Sequence, residues 1–592
     1  MWSLTFQLGW SFKCLVHSVM RCTSILLLLA CSFNTAHGAV RKLDPELKNL
    51  NSDQIVDVIV RYRSAPTEAL HQRVLARGGQ LKHNLDIIRA AHYAMPSNEL
   101  QALADNPDVE FIAPDRMVKV TASYTGSPDY GWRTAGADVA TSVFGVDGTG
   151  VGIAMIDTGI NDKDDLKDAL GHNRIVYKAS LVPGLTQDDH YGHGTHVSGI
   201  LAGNGHKSNT NGTTYLVRGI APNANLISLK VLDDTGTGTD STVIAGIQLA
   251  LKLQSQYHIR VINLSLGRPV TGSYLNDPLC QAVQQAWQAG IVVVVAAGND
   301  GRDNAQGTNG YGTITAPGNS PYVITVGAMN TLGTATAADD KVASYSSKGP
   351  TAIDHIVKPD LMAPGNRIVS LNQGGALLEN TYPGNDVAQA VYLNTTSLKG
   401  PDYYLLSGTS MAAPMVSGAA ALMIQKDPTL TPDQIKARLM KTATKFAPGF
   451  STATDPVTGG TYTDEYDIFT IGAGYLNIPA ALQNSDLLTD AALSPSATYD
   501  VASNAVYLTP TATSAIWGTS AIWGTSAIWG TSAIWGTSAI WGTSVFVDGS
   551  SAIWGTSAIW GTSAIWGTSA IWGTSSGQDN SESTTIAIQG DN

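Results

Sequence analysis

The sequence predicts an α/β protein built on a doubly wound, mostly parallel sheet. Ahead of it the chain predicts a small ferredoxin-like α+β module, and behind it a repeat tail of extended or β-solenoid character. Three observations carry this. Between about residues 124 and 483, apolar runs of strand length alternate with helical patterns, as crossover-connected parallel strands require. Residues 55 to 113 read as strand, helix, two strands, helix, strand. From Ser514 a hexapeptide recurs, and an even period suits a strand better than a helix.

The first 38 residues read as a secretory signal region, not as structure. Arg21 precedes an apolar run at 25–30, and Ala36-His37-Gly38 offers small residues at a cleavage site. Met20 makes a more conventional start than Met1. The run is too short to span a bilayer. Leu28-Leu29-Ala30-Cys31 approximates a bacterial lipoprotein box, so anchoring at Cys31 is the alternative to ordinary cleavage. Cys14, Cys22 and Cys31 all lie in this leader, leaving Cys280 alone in the rest of the chain. One thiol makes no internal disulfide, and its apolar helical surroundings suit a small core residue. A net charge of -12 argues against nucleic acid or an anionic membrane as partner and suits a soluble, secreted protein.

Residues 39–122 form the first module. A strand at 55–62, a helix at 66–76, a break at Gly78-Gly79, two strands within 80–95, a helix at 98–104 and a strand at 109–113 give the order βαββαβ.

Residues 123–485 form the main domain. Strands are expected at 151–156, 225–231, 260–266, 291–297 and 323–326, with helices at 242–254 and 277–289. Three segments within it carry chemistry. Val151 to Ile156 is an apolar run, buried on both faces, that ends at Asp157-Thr158-Gly159. Gly192-His193-Gly194-Thr195-His196-Val197 opens what the spacing of Thr195, Val197, Ile200 and Leu201 suggests is an amphipathic helix. Ser407-Gly408-Thr409-Ser410 leads into a small-residue helix over 411–425, with Pro414 expected in its first turn. Alone, each has an ordinary structural role as turn, loop or cap residue. Together, in the order Asp, His, Ser, they supply a nucleophile, a base and a carboxylate to orient the base. The strand at 291–297 ends at Ala297-Gly298-Asn299, which places an amide just past a strand's carboxyl end.

That chain order and those flanks resemble the subtilisin-like serine peptidases. Further landmarks are Tyr345-Ser346-Ser347-Lys348-Gly349-Pro350, Lys358-Pro359-Asp360-Leu361-Met362-Ala363-Pro364-Gly365 and Gly472-Ala473-Gly474-Tyr475-Leu476-Asn477. The resemblance covers about residues 55 to 483. It implies Ser410 as nucleophile, His193 as general base, Asp157 as its orienting carboxylate and Asn299 as a side-chain donor to the oxyanion. His196 is then structural. It implies that Ser265-Leu266-Gly267 pairs with an extended peptide substrate, and that Gly236-Thr237-Gly238 forms the opposite edge of the cleft. Thr315 falls near the primary pocket, where no acid is obvious. The first module is similar to the subtilisin propeptide, an intramolecular inhibitor removed by self-cleavage within about 116–124; a permanent N-terminal domain is the alternative. No cofactor is required for this chemistry, and structural calcium is possible although no loop names its ligands. An insertion at about 373–404 is placed to wall the cleft.

Two rival hydrolase schemes fail. An aspartic peptidase needs two carboxylates sharing a proton, but Asp234-Thr235-Gly236 reads as an exposed loop and not a strand end. An α/β-hydrolase wants Gly-x-Ser-x-Gly and the order Ser, acid, His, which this chain lacks.

Residues 486–513 read as a linker. At 514–575 Ser-Ala-Ile-Trp-Gly-Thr repeats nine times, interrupted once at Ser544-Val545-Phe546-Val547-Asp548-Gly549-Ser550, and a polar tail follows at 576–592. A six-residue step keeps every tryptophan on one face of a strand but scatters them around a helix. A β-solenoid, an aromatic strip binding polysaccharide or another surface, and a low-complexity tail all remain open. If the tail is the function, the chain is a surface-binding protein with a vestigial peptidase domain.

Overall fold

The computed structural model describes residues 42–48, 50, 54–119, 131–305, 307–395, 401–446, 449–488, 490–500, 505–509, 544–546 and 588–591. The signal region and nearly all of the hexapeptide array lie outside them.

The N-terminal module is a four-stranded antiparallel sheet. Its elements are β1 Ile55–Tyr62, α1 Glu68–Leu75, β2 Gln80–Leu85, β3 Ala90–Pro96, α2 Leu100–Ala104 and β4 Val109–Pro114, with strand order β2-β3-β1-β4. Val58, Val60, Tyr62, Val74, Tyr93 and Leu103 form its own small core. On the other face Ile59, Leu85, Ile88 and Ala90 join the core of the main domain, so the module is packed onto that domain. A short strand, β5 Met117–Lys119, follows.

The main sheet holds β6 Gly152–Asp157, β7 Ile175–Ser180, β8 Asn225–Lys230, β10 Ile259–Leu264, β11 Val292–Ala296, β12 Ile324–Asn330, β13 Lys341–Val342 and β14 Leu361–Asn366. Its order is β13-β12-β11-β10-β6-β8-β7, with β14 also on β12. All pairings are parallel except β12 with β13, so the sheet is mixed. Every residue of β6, β11 and β12 is buried, as strands covered by helices on both faces must be. Gly152 is required at the start of β6, because a Cβ there would run into the Tyr257 carbonyl.

The helices are α3 His193–Ala202, α4 Asp240–Tyr257, α5 Pro278–Gln288, α6 Thr409–Lys426 and α7 Pro432–Thr442. Asp277 caps α5 through Leu279 N and Cys280 N, and Pro278 takes the first helical position, where its missing N–H costs nothing. Cys280 is buried there, its thiol 3.1 Å from Asn319 Oδ1. Two expectations about helices are corrected. Every residue of α3 is buried, so it is a central helix and not an amphipathic one. Pro414 lies inside α6, beyond its first turn, because the helix begins at Thr409.

The stretch read as a linker is corrected too. Ala492, Leu493, Ser494 and Ala497 are buried. Ser494 Oγ donates to Asp360 Oδ1 at 2.6 Å and accepts from Lys436 Nζ at 2.9 Å, within a buried cluster that also pairs Lys358 with Asp360 at 2.7 Å. Two buried lysines around one carboxylate need added hydrogen-bonding partners, and this polar segment provides one. It continues into β20 Ser496–Asp500 and β21 Ala505–Thr509. The insertion at 373–404 belongs to a small sheet of β15 Ile368–Leu371, β16 Asp386–Val387 and β17 Tyr403–Leu406. A hairpin of β18 Phe450–Thr454 and β19 Thr461–Glu465 completes the domain.

Candidate active site

The site gathers at the carboxyl ends of the central strands, where an open parallel sheet leaves its crevice. Asp157 is the last residue of β6 and is buried. Its Oδ1 accepts from Thr158 N at 2.7 Å and from His193 Nδ1 at 2.8 Å. His193 opens α3 and is fully buried. Gly194 permits this approach, because a Cβ there would run into the Gly159 carbonyl. With Nδ1 held by the carboxylate, the other ring nitrogen is the proton acceptor. His193 Nε2 has no hydrogen-bond partner among the described residues.

Ser410 sits in the first turn of α6, where backbone N–H groups lack intrahelical acceptors. Its Oγ donates to Ser265 O at 3.1 Å instead of to His193. Asn299 follows β11. Its Oδ1 accepts from Thr409 N at 2.9 Å and from Thr409 Oγ1 at 2.8 Å, while Nδ2 is buried without a partner among the described residues. The amide is thus oriented with its donor free. His196 is fully buried, with Nε2 3.1 Å from Tyr404 O, and burial pushes its pKa down to about 3. It is a neutral structural ring.

Sequence reasoning missed Asp189. This fully buried carboxylate accepts from Thr158 Oγ1 at 2.9 Å, Gly192 N at 2.7 Å, Thr195 N at 2.8 Å and Thr195 Oγ1 at 2.7 Å. It therefore ties the turn after Asp157 to the loop that delivers His193. The one available signal was an acid shortly before a Gly-His-Gly loop, which is common in exposed turns as well.

Ser265, Leu266 and Gly267 follow β10; Ser265 and Leu266 are buried beside the nucleophile and Gly267 is half-buried. Gly267 and Gly298 both face Thr315, whose Oγ1 donates to Ala297 O at 3.2 Å. Gly236 precedes β9 Thr237–Thr239, which pairs antiparallel with β5. The register sets Met117 opposite Thr239, Val118 opposite Gly238 and Lys119 opposite Thr237. Asp234 lies in a partly exposed loop, paired with Lys230 and His190, far in character from a shared-proton dyad. The insertion borders the histidine loop: Leu377 N donates to His190 O and Leu378 N to Tyr191 O.

Fold and site together define the class of subtilisin-like serine endopeptidases. The Subtilase family model matches residues 148–465, and the chain belongs to that family. The serine protease AprX of Bacillus subtilis is 40% identical over 303 residues, covering 50% of this chain and 62% of AprX. Subtilisin DY of Bacillus licheniformis is 37% identical over 341 residues, 57% of this chain and 93% of that enzyme. Among solved structures, fervidolysin of Fervidobacterium pennivorans, a keratinolytic enzyme related to subtilisin, superposes with a TM-score of 0.52. That match covers 73% of this chain and 61% of fervidolysin at 23% identity, and speaks for the fold alone.

Proposed function

We propose that this chain is a secreted serine endopeptidase made as a zymogen, acting through Asp157, His193 and Ser410. The observation that carries the reading is the buried Asp157–His193 pair, 2.8 Å apart, on the same rim as a nucleophile-bearing helix start. For reaction, Ser410 Oγ turns from the Ser265 carbonyl toward His193 Nε2 and gives up its proton there as it attacks the peptide carbonyl. Asp157 holds the Nδ1–H tautomer and the imidazolium that forms. Asn299 Nδ2 and the Ser410 N–H donate to the tetrahedral oxyanion. His193 then returns the proton to the leaving amine, and water repeats the sequence to release the acyl group.

The zymogen reading is supported by β5. The end of the N-terminal module is already paired as a strand with Thr237–Thr239, as a peptide substrate would be. The module thereby acts as an intramolecular inhibitor until the chain is cut within about 116–124. Secretion rests on the leader at 21–38; among the described residues no helix is long and apolar enough to cross a membrane. Structural calcium is an expectation from family likeness, and no group of three or more acidic, His or Cys side chains among the described residues gathers as a metal site. The test is labelling with a fluorophosphonate probe followed by peptide mapping. Modification of Ser410 in the processed protein supports the reading; an unlabelled Ser410 in folded, processed protein overturns it.

A further inference from the structure

Residues 588–591 pack back onto the main domain. Asp591 is fully buried. Arg302 Nη2 donates to its Oδ1 at 2.7 Å, Ser344 Oγ to Oδ1 at 2.7 Å, and Ser344 N to Oδ2 at 2.6 Å. Asn366 clamps the backbone: its Nδ2 donates to Asp591 O at 3.1 Å, and Asp591 N donates to its Oδ1 at 2.9 Å. Gly590 has φ +60, and a Cβ there would collide with Asn366 Oδ1 and Ser407 Oγ. Both the acid and the glycine before it are therefore selected by the pocket.

Two of the walls come from segments that also carry candidate site residues. Arg302 lies three residues after Asn299, and Ser407 three before Ser410. Arg302 is itself buried, pairs with Asp455 Oδ1 at 3.4 Å and lies 5.2 Å over the Tyr462 ring. A buried guanidinium with Ser344 N–H beside it favours a carboxylate, because loss of the anion leaves the Ser344 N–H unmatched and Asp455, at 3.4 Å, as the ion-pair partner that remains.

A second observation concerns the same tail. Ser544–Phe546, the segment that interrupts the hexapeptide, pairs antiparallel with β21, setting Ala505 opposite Phe546 and Tyr507 opposite Ser544. Each block of repeats is thus bounded at both ends by a segment held on the domain.

We propose that Arg302, Ser344 and Asn366 form a recognition pocket for a Gly-Asp sequence, and that the chain's own Gly590-Asp591 is its ligand, an intramolecular latch for the repeat tail. The carboxylate is read by three donors, an arrangement an amide side chain cannot reproduce, since its NH2 would face Ser344 N–H or Arg302.

The test is binding in trans, in the Ser410→Ala background so that no catalysis enters the readout. A fluorescent peptide spanning 581–592 is titrated into the full chain and into a chain ending at Ala587, both checked for equal folding by circular dichroism. The shortened chain is expected to bind at least tenfold more tightly than the full chain, whose pocket is filled. The peptide carrying Asp591→Asn is expected to bind at least tenfold more weakly. Equal binding to both chains, equal binding of the Asn peptide, or no binding to the folded shortened chain overturns the latch. The proposed peptidase activity stands or falls separately.

Discussion

Ser265 Oγ donates at 2.8 Å to the carbonyl oxygen of Ser410, while Ser410 Oγ donates at 3.1 Å to the carbonyl of Ser265. The cause lies four residues on. Pro414 has no N–H to bond the Ser410 carbonyl, so the helix leaves that acceptor open. Asn263 Nδ2 holds Ser265 Oγ at 2.9 Å, and Ser417 Oγ holds Asn263 Oδ1 at 2.8 Å. A proline inside α6 thus fixes the nucleophile to the strand β10 rather than merely kinking its helix.

Ser265→Ala removes that bond and leaves a buried carbonyl unmatched, a loss of about 1–3 kcal/mol. The expected result is a fall of about tenfold or more in kcat/KM with lower thermal stability. Steady-state kinetics and melting of the purified variant check it; unchanged kinetics would show that Ser410 is positioned without Ser265.

Asn299→Ala is expected to lower kcat by about 10²–10³-fold with little change in KM, the range known for removal of such a donor from a subtilisin. Thr409→Val removes the Oγ1 contacts to Asn299 and to the Gly298 N–H and carbonyl, and keeps the Thr409 N bond to Asn299. Its expected loss is smaller, about 1 kcal/mol or up to tenfold in kcat. A Thr409→Val enzyme as impaired as Asn299→Ala would place the donor elsewhere.

Gly267→Ala would bring a Cβ to 2.5 Å from Thr315 Oγ1 and 3.0 Å from Thr315 Cβ. Overpacking of this kind costs about 1–3 kcal/mol. We expect KM to rise about tenfold for peptides with a bulky residue before the cut, and much less for small ones. Adding Thr315→Ala removes the nearer contact and is expected to recover part of the loss. A uniform change across a peptide series would argue against Thr315 facing the substrate side chain.

His196 is held neutral by burial, at about 3 against an ordinary value of 6.5. The unfolded chain therefore binds a proton there between about 3 and 6.5 that the folded chain does not. Its contribution to stability is complete above pH 6.5 and declines below it by about 1.4 kcal/mol per unit. Nitrogen-15 shifts of a histidine-labelled Ser410→Ala protein should show a neutral ring with Nε2 protonated at pH 5. An imidazolium signal for His196 at that pH would contradict its place in the core.

Much of this was legible in the chain. Uniform apolar runs of strand length such as 151–156 and 291–297 suit strands covered on both faces, and their ends locate Asp157 and Asn299. Pro414 misled because a proline near a helix start is ordinarily a first-turn residue, whereas Gly408 and Thr409 begin the helix earlier here. Asp189 was not singled out because its role depends on the turn after Asp157 meeting the histidine loop, a contact 31 residues apart that an acid before a Gly-His-Gly loop does not by itself encode. The segment around Ser494 looked like linker for a similar reason: its polar residues serve buried lysines brought there by tertiary contacts. Asp591 carries no local signal at all, since its partners lie more than 200 residues away.

We propose Ser410 as the nucleophile of a self-processing peptidase. The most direct test is expression from Met20 of the wild type and of Ser410→Ala, each followed by intact mass and by casein hydrolysis. Only the wild type is expected to shed its N-terminal module, by a cut within about 116–124, and only it to cleave casein. Identical processing of both proteins with no casein cleavage by either would contradict it.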